Sequence, residues 1–204
     1  MRLFLLFIGI LVGLFILNKT RKAMAETKSD EQPYKVVRTG KDLEIRFYPS
    51  VSMAMINSSA SSYKELAGSG FRILAGYIFG GNDRKQKIAM TSPVHMDINN
   101  SMSSMSFVMP ALFTKDNLPK PKNENVIIKT APEEYVAAIR FGGYASDKDI
   151  KLYSGRLESA LKASAIEYYG NFRFLGYNAP YQFFCRRNEI IVSIRWSSKK
   201  INKT

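Results

Sequence analysis

The chain has 204 residues, is 46% hydrophobic, and carries 30 Lys and Arg against 17 Asp and Glu, a formal net charge of +13. Such length and apolar content describe a folded domain with an extension and exclude a disordered chain. A single cysteine, Cys185, excludes an intrachain disulfide and a cysteine-based zinc site. The basic excess is scattered, and no zinc-finger, helix-turn-helix or RNA-binding signature accompanies it, so nucleic acid is not an expected partner. Residues 1 to 25 open with an apolar run from Leu3 to Leu17, followed by Lys19, Arg21 and Lys22. A helix of that length rises about 22 Å, against a hydrocarbon core of about 30 Å. The basic flank predicts a short membrane anchor through residues 3–17 with the domain on the cytoplasmic side. The alternative is an export signal cleaved near Ala25, after "AMA". Residues 26–33 read as a polar linker, 34–197 as the folded domain and 198–204 as a basic tail.

"YKVVRTGKDLEIRFYPSVSMAMI" predicts a short strand, a turn at Gly40 and a long strand kinked at Pro49. "SSASSYKELAGSGFRILAGYIFGG" predicts an amphipathic helix with Leu66, Phe71, Leu74, Ala75 and Ile78 on one stripe, stopped by Gly80 and Gly81. Two strands follow, Lys87 to Ile98 and Met105 to Met109, and then a loop rich in Pro and Lys. The order then restarts: "VIIKTAPEEYVAAIRFGG" is strand, turn, strand; a helix carries Ile150, Tyr153, Leu157, Leu161 and Ile166; "FRFLGYNAPYQFFCRRNEIIVSIRW" gives two closing strands. This tandem β-β-α-β-β pattern predicts an α+β fold, a distorted, partly open, eight-stranded antiparallel β-barrel with two helices and a helix–sheet cleft able to take a ligand.

His95 is the only histidine. In an extended strand Met90, Val94 and Met96 share one face and His95 points to the other with Asp97. The expected role is a half-exposed strand histidine; as a metal ligand His95 is the secondary reading. Met90 and Met96 are expected among the core. Glu44, Glu65, Asp97 and Glu189 form no recognisable acid–base pair, and no catalytic role is assigned. Cys185 is expected as a buried small thiol, and "RRNE" at 186–189 as a charged strand start making surface pairs.

The segments "YKVVRTGKDLEIRFYP", "KIAMTSPV", "LPKP" and "RRNE" occur in the order found in the SOUL haem-binding protein family, and the chain resembles that family from about Tyr34 to Arg195. It departs from the common pattern at Ala179 and Tyr181, where many members carry a tryptophan after a Tyr-Asn-Pro-Pro turn. The resemblance implies the distorted barrel and non-covalent binding of haem or another tetrapyrrole through the first helix and adjacent strands. Carried onto this chain it points to Phe71, Leu74, Ala75 and Ile78, with Arg72 as a propionate partner and Met90 beside them. The implied role is a carrier or buffer, not an enzyme. Competing readings are a small-molecule sensor or protein-interaction module of the effector-binding type, and a tetrapyrrole-modifying enzyme.

Overall fold

The computed structural model describes residues 30–99 and 101–196. The chain divides into Met1–Asp30 and Glu31–Thr204, and the sheet and both helices belong to the second unit. In chain order the elements are β1 (Asp30–Glu31), β2 (Lys35–Thr39), β3 (Glu44–Tyr48), β4 (Val51–Ser58), α1 (Tyr63–Ile78), β5 (Thr91–Ser92), β6 (Val94–Asp97) and β7 (Ser103–Val108). They continue with β8 (Ile127–Ala131), β9 (Glu134–Phe141), α2 (Asp147–Ala163), β10 (Tyr168–Gly176) and β11 (Asn188–Ile194). Nine strands make one antiparallel sheet in the order β2-β3-β9-β11-β10-β6-β7-β4-β8, and β1 and β5 stand outside it.

The internal repeat is written into that order. Exchanging β3 with β8, β4 with β9, β6 with β10 and β7 with β11 reverses the eight-strand series without altering it. The pair β6–β10 sits at its centre. Each repeat gives its first strand to the other, since β3 pairs with β9 and β8 with β4. This crossing requires a break in the chain, and Pro49 and Pro132 supply it at equivalent places between β3 and β4 and between β8 and β9. Proline donates no ladder hydrogen bond and ends a strand cleanly. The expected long strand kinked at Pro49 is therefore two strands, and β2 is an addition outside the repeat. That accounts for nine strands where eight are expected.

Both helices lie on one face. Ser62 caps α1 by accepting from the Glu65 N–H, and Ser146 with Asp149 forms a capping box on α2. Leu66, Leu74, Tyr77 and Ile78 from α1, with Leu157 and Leu161 from α2, pack into one core with Ile45, Ile56, Met105, Phe174 and Ile190 from the sheet. On the other face Tyr48, Val136, Ala138, Leu175 and Ile191 form a smaller buried cluster with Tyr34 and Tyr177 packed against it, and no helix of the described residues lies there.

The structure corrects the expected membrane anchor. Among the described residues no helix is long and apolar enough to cross a membrane, and fifteen apolar residues fall short of a spanning length of about twenty. The run Leu3 to Leu17 and the cleavage position near Ala25 lie outside the described residues.

Candidate functional site

The residues expected on the first helix separate into two groups. Leu74, Ala75 and Ile78 are buried in the core. Phe71 is 37% exposed, its ring meeting Phe107 edge-on at 5.3 Å, and Arg72 beside it is exposed. Met90 is partly buried against the core. The separation is geometric: α1 has one apolar stripe, and the sheet takes it.

A helix–sheet cleft exists, but under α2. A cavity of about 510 Å³ is lined by Met96, Ile98, Ile150, Tyr168, Phe172 and Phe174, with Lys151 and Asn171 among its polar lining. It opens there because α2 is buried only through Leu157 and Leu161, in its second half. Its first turn is held by Asp147, whose carboxylate accepts from the Tyr63 N–H at 2.6 Å and so ties the starts of both helices together.

A second cavity, of about 390 Å³, lies on the helix-free face over the same central strands. It is lined by His95, Gln32, Lys129, Arg173, Met53 and Tyr48, among others. Strand parity holds: Met96 faces Met105 in the core while His95 lies opposite Ser106 and Leu175. The half-exposed histidine does not. His95 is buried, its Nε2 lies 2.7 Å from Gln32 Oε1, and burial, then Arg173 and Lys129, push its imidazole down to about 3. It is neutral at physiological pH. Arg173 makes a two-pronged bond to Glu134 at 2.9 and 2.8 Å. Burial, followed by Arg173, lowers the Lys129 ammonium, with Asp97 opposing.

A feature not foreseen from the sequence adjoins this face. Glu189, expected to make surface pairs, is 0% exposed. Its carboxylate accepts from Arg46 at 2.6 and 3.1 Å, from Arg187 Nε at 3.0 Å and from the Tyr177 hydroxyl at 2.8 Å. The Arg46 guanidinium lies 4.3 Å from the Tyr34 ring centroid and that of Arg187 lies 3.8 Å from Tyr177. Burial raises the Glu189 carboxyl, but the Arg46 hydrogen bond and charge, then Arg187, outweigh it and leave it below the usual range. A signal was present: Glu189 shares strand parity with Ile191, and Arg46 with Tyr48, so opposite charges sit on inward positions. Cys185, expected buried, is exposed in a turn with φ of 53°. Among the described residues no cluster of three or more His, Cys, Asp or Glu could hold a metal ion.

Comparison with solved structures places this architecture among known folds. The C-terminal domain of EcmrR matches with a TM-score of 0.60 over 80% of this chain and 99% of its own, at 10% identity. A hydrolase from Listeria innocua matches with a TM-score of 0.52 over 78% of this chain and 94% of its own, at 8% identity. These likenesses are of fold. In sequence the chain is 30% identical to Heme-binding protein 1 of Bos taurus over 56% of this chain, and spans 63% of that relative's length. It is 24% identical to Heme-binding protein 1 of Xenopus laevis over 75% of this chain and 84% of the relative. Heme-binding protein 2 of Homo sapiens is 25% identical over 72% of this chain and 75% of its own length. The SOUL heme-binding protein model matches residues 29–193, which span the repeat to within its last residue, and the chain belongs to that family.

Proposed function

We propose that this protein binds haem non-covalently as a carrier or buffer, in the cleft between α2 and the central strands β6 and β10. Membership of a family described by haem binding, and relatives named for it, support the ligand class. The observation that carries the location is the cleft itself. Its volume of about 510 Å³ is within the range of small-molecule sites, and its walls combine aromatic, aliphatic and thioether side chains with the polar Asn99, Asp147, Lys151, Ser154 and Asn171. The fit to haem rests on that chemistry: Phe172 and Tyr168 offer ring faces, Ile98 and Ile150 offer aliphatic area, and Lys151 offers a cation for a propionate. Haem supplies a flat apolar macrocycle and an iron centre. Met96 is the only thioether among the lining residues and no imidazole lines the cleft, so burial and stacking dominate affinity.

A second reading keeps the ligand on α1, through Phe71 and Arg72 with Leu74, Ala75, Ile78 and Met90 behind them. The exposed Phe71 ring favours it. Hemin titration followed by the Soret band and Trp196 fluorescence separates the two. Ile150→Asp is expected to weaken binding at least about tenfold, roughly 1.4 kcal/mol, and Phe71→Asp to leave it unchanged. The reverse pattern moves the site to α1. Absence of any Soret change with the wild-type chain rejects haem binding in both places.

A further inference from the structure

The pocket on the helix-free face has no part in the haem reading, because the sheet separates it from the cleft under α2. We propose that it is a second ligand site, for a small monocarboxylate with a flat apolar body. The carboxylate is assigned to Lys129 and the body to the side bounded by Met53 and Tyr48.

Lys129 and Arg173 face Asp97, Glu133 and Glu134 across the pocket, and Lys129 is the lining cation that stands outside an ion pair among the described residues. Glu134 is closed on Arg173 and on the Ser193 hydroxyl at 2.7 Å. Asp97 takes the Asn171 amide at 3.2 and 3.1 Å. Glu133 is exposed to water at the rim. Lys129 is half-buried and makes no ion pair among the described residues. Asp97, beyond ion-pair distance, offsets only part of what the ammonium loses on leaving water, and an anion that reaches it directly recovers more. The His95 ring, buried and neutral, contributes a polar edge without a competing charge. Pro49, Val51 and Pro132 add apolar wall for the body of the ligand, while Ser104, Ser106 and Thr130 offer uncharged polar groups.

His95 is the only histidine in the chain, so its ring proton resonances report on this pocket without ambiguity. Titration with benzoate is expected to shift them saturably in the wild-type protein, whereas benzamide, of the same shape without charge, leaves them in place. Lys129→Met, with its fold verified by circular dichroism, is expected to weaken benzoate about tenfold, and Lys129→Arg to retain most of it. Benzoate shifts should persist when diamagnetic zinc protoporphyrin is present in excess. No wild-type shift, equal response to benzamide, or displacement of benzoate by the porphyrin would each overturn the proposal. The wild-type comparison of benzoate with benzamide decides the matter even if the Lys129 variants do not fold.

Discussion

His95 and Met96 are consecutive in β6 and serve opposite cavities: Met96 lines the cleft under α2, and His95 hydrogen-bonds Gln32 in the pocket on the helix-free face. One strand at the centre of the pseudo-two-fold thus supplies both sides of a two-sided molecule. The same pleat that keeps the thioether and the imidazole apart lets the two faces differ in chemistry, the cleft under α2 carrying Phe172 and Phe174 and the other pocket His95, Lys129 and Arg173.

Burial of a neutral imidazole makes folding pH-dependent. The unfolded chain takes up a proton at His95 near pH 6.5, while the folded chain excludes it until about 3. The stability this group contributes is therefore complete above pH 6.5 and is lost progressively as pH falls toward 3, at about 1.4 kcal/mol per unit. Urea denaturation from about pH 7 down to about pH 5 is expected to show that slope, and His95→Gln to flatten it. A ring resonance that titrates near its ordinary value in the folded protein contradicts this expectation.

The Arg46–Glu189–Arg187 cluster places a second lever at lower pH. Glu189 is held below the ordinary carboxylate range by its arginines despite its burial, so its contribution is present above the unfolded carboxyl pKa and lost as pH falls through the depressed folded one. Glu189→Ala leaves buried Arg46 with only the partly exposed Glu44, 2.7 Å away, as counter-ion and is expected to cost about 3 kcal/mol, the low end for breaking a buried pair. The double variant Arg46→Met with Glu189→Leu should be less damaging than that single change. A Glu189→Ala variant within about 0.5 kcal/mol of wild type means the cluster is hydrated in solution.

Two neighbouring glycines should respond with opposite signs. A Cβ on Gly81 would lie 2.6 Å from the Gly76 carbonyl oxygen, which is backbone and cannot yield, and the Gly81 N–H bonds that same oxygen at 2.8 Å. Gly81→Ala is expected to destabilise by about 1–3 kcal/mol. Gly76 lies inside α1 with nothing within 4 Å of a built Cβ, so Gly76→Ala should stabilise by about 0.5–1 kcal/mol through lower unfolded-state entropy. Thermal unfolding of both variants checks the pair; stabilisation by Gly81→Ala shows that the loop relaxes.

Period and punctuation made the fold legible. Alternation gave the strands, the stripe Leu66–Leu74–Ile78 gave α1, and the restart at Val126 gave the repeat. The exchange of first strands was hidden, since pairing partners are a property of two distant segments, and Pro49 alone reads as a kink. The site was less legible for a physical reason: an apolar helical stripe looks the same whether it faces a sheet or a ligand, so Leu74 and Ile78 served as site candidates and proved to be core. Whether α2 stands off the sheet depends on how much of it the sheet can cover, which no local pattern encodes. Charged residues mislead in the opposite sense, as Glu189 shows, because a carboxylate in a strand reads as exposed until its arginine comes from 143 positions away.

Lys151 tests the polar side of the haem cleft without disturbing its walls. It is exposed on the first half of α2 and lines the cavity with Ile150. A solvent-exposed pair is worth at most about 1 kcal/mol, so Lys151→Glu should weaken hemin roughly two- to fivefold, and more at low salt than at high salt. The dimethyl ester of the same porphyrin has no propionate charge to lose, and its affinity should be indifferent to the substitution. The contrast between acid and ester, measured on one variant, distinguishes loss of a propionate partner from damage to the cleft. Equal weakening of both ligands indicates that α2 has moved, and no weakening of either places the propionates away from Lys151.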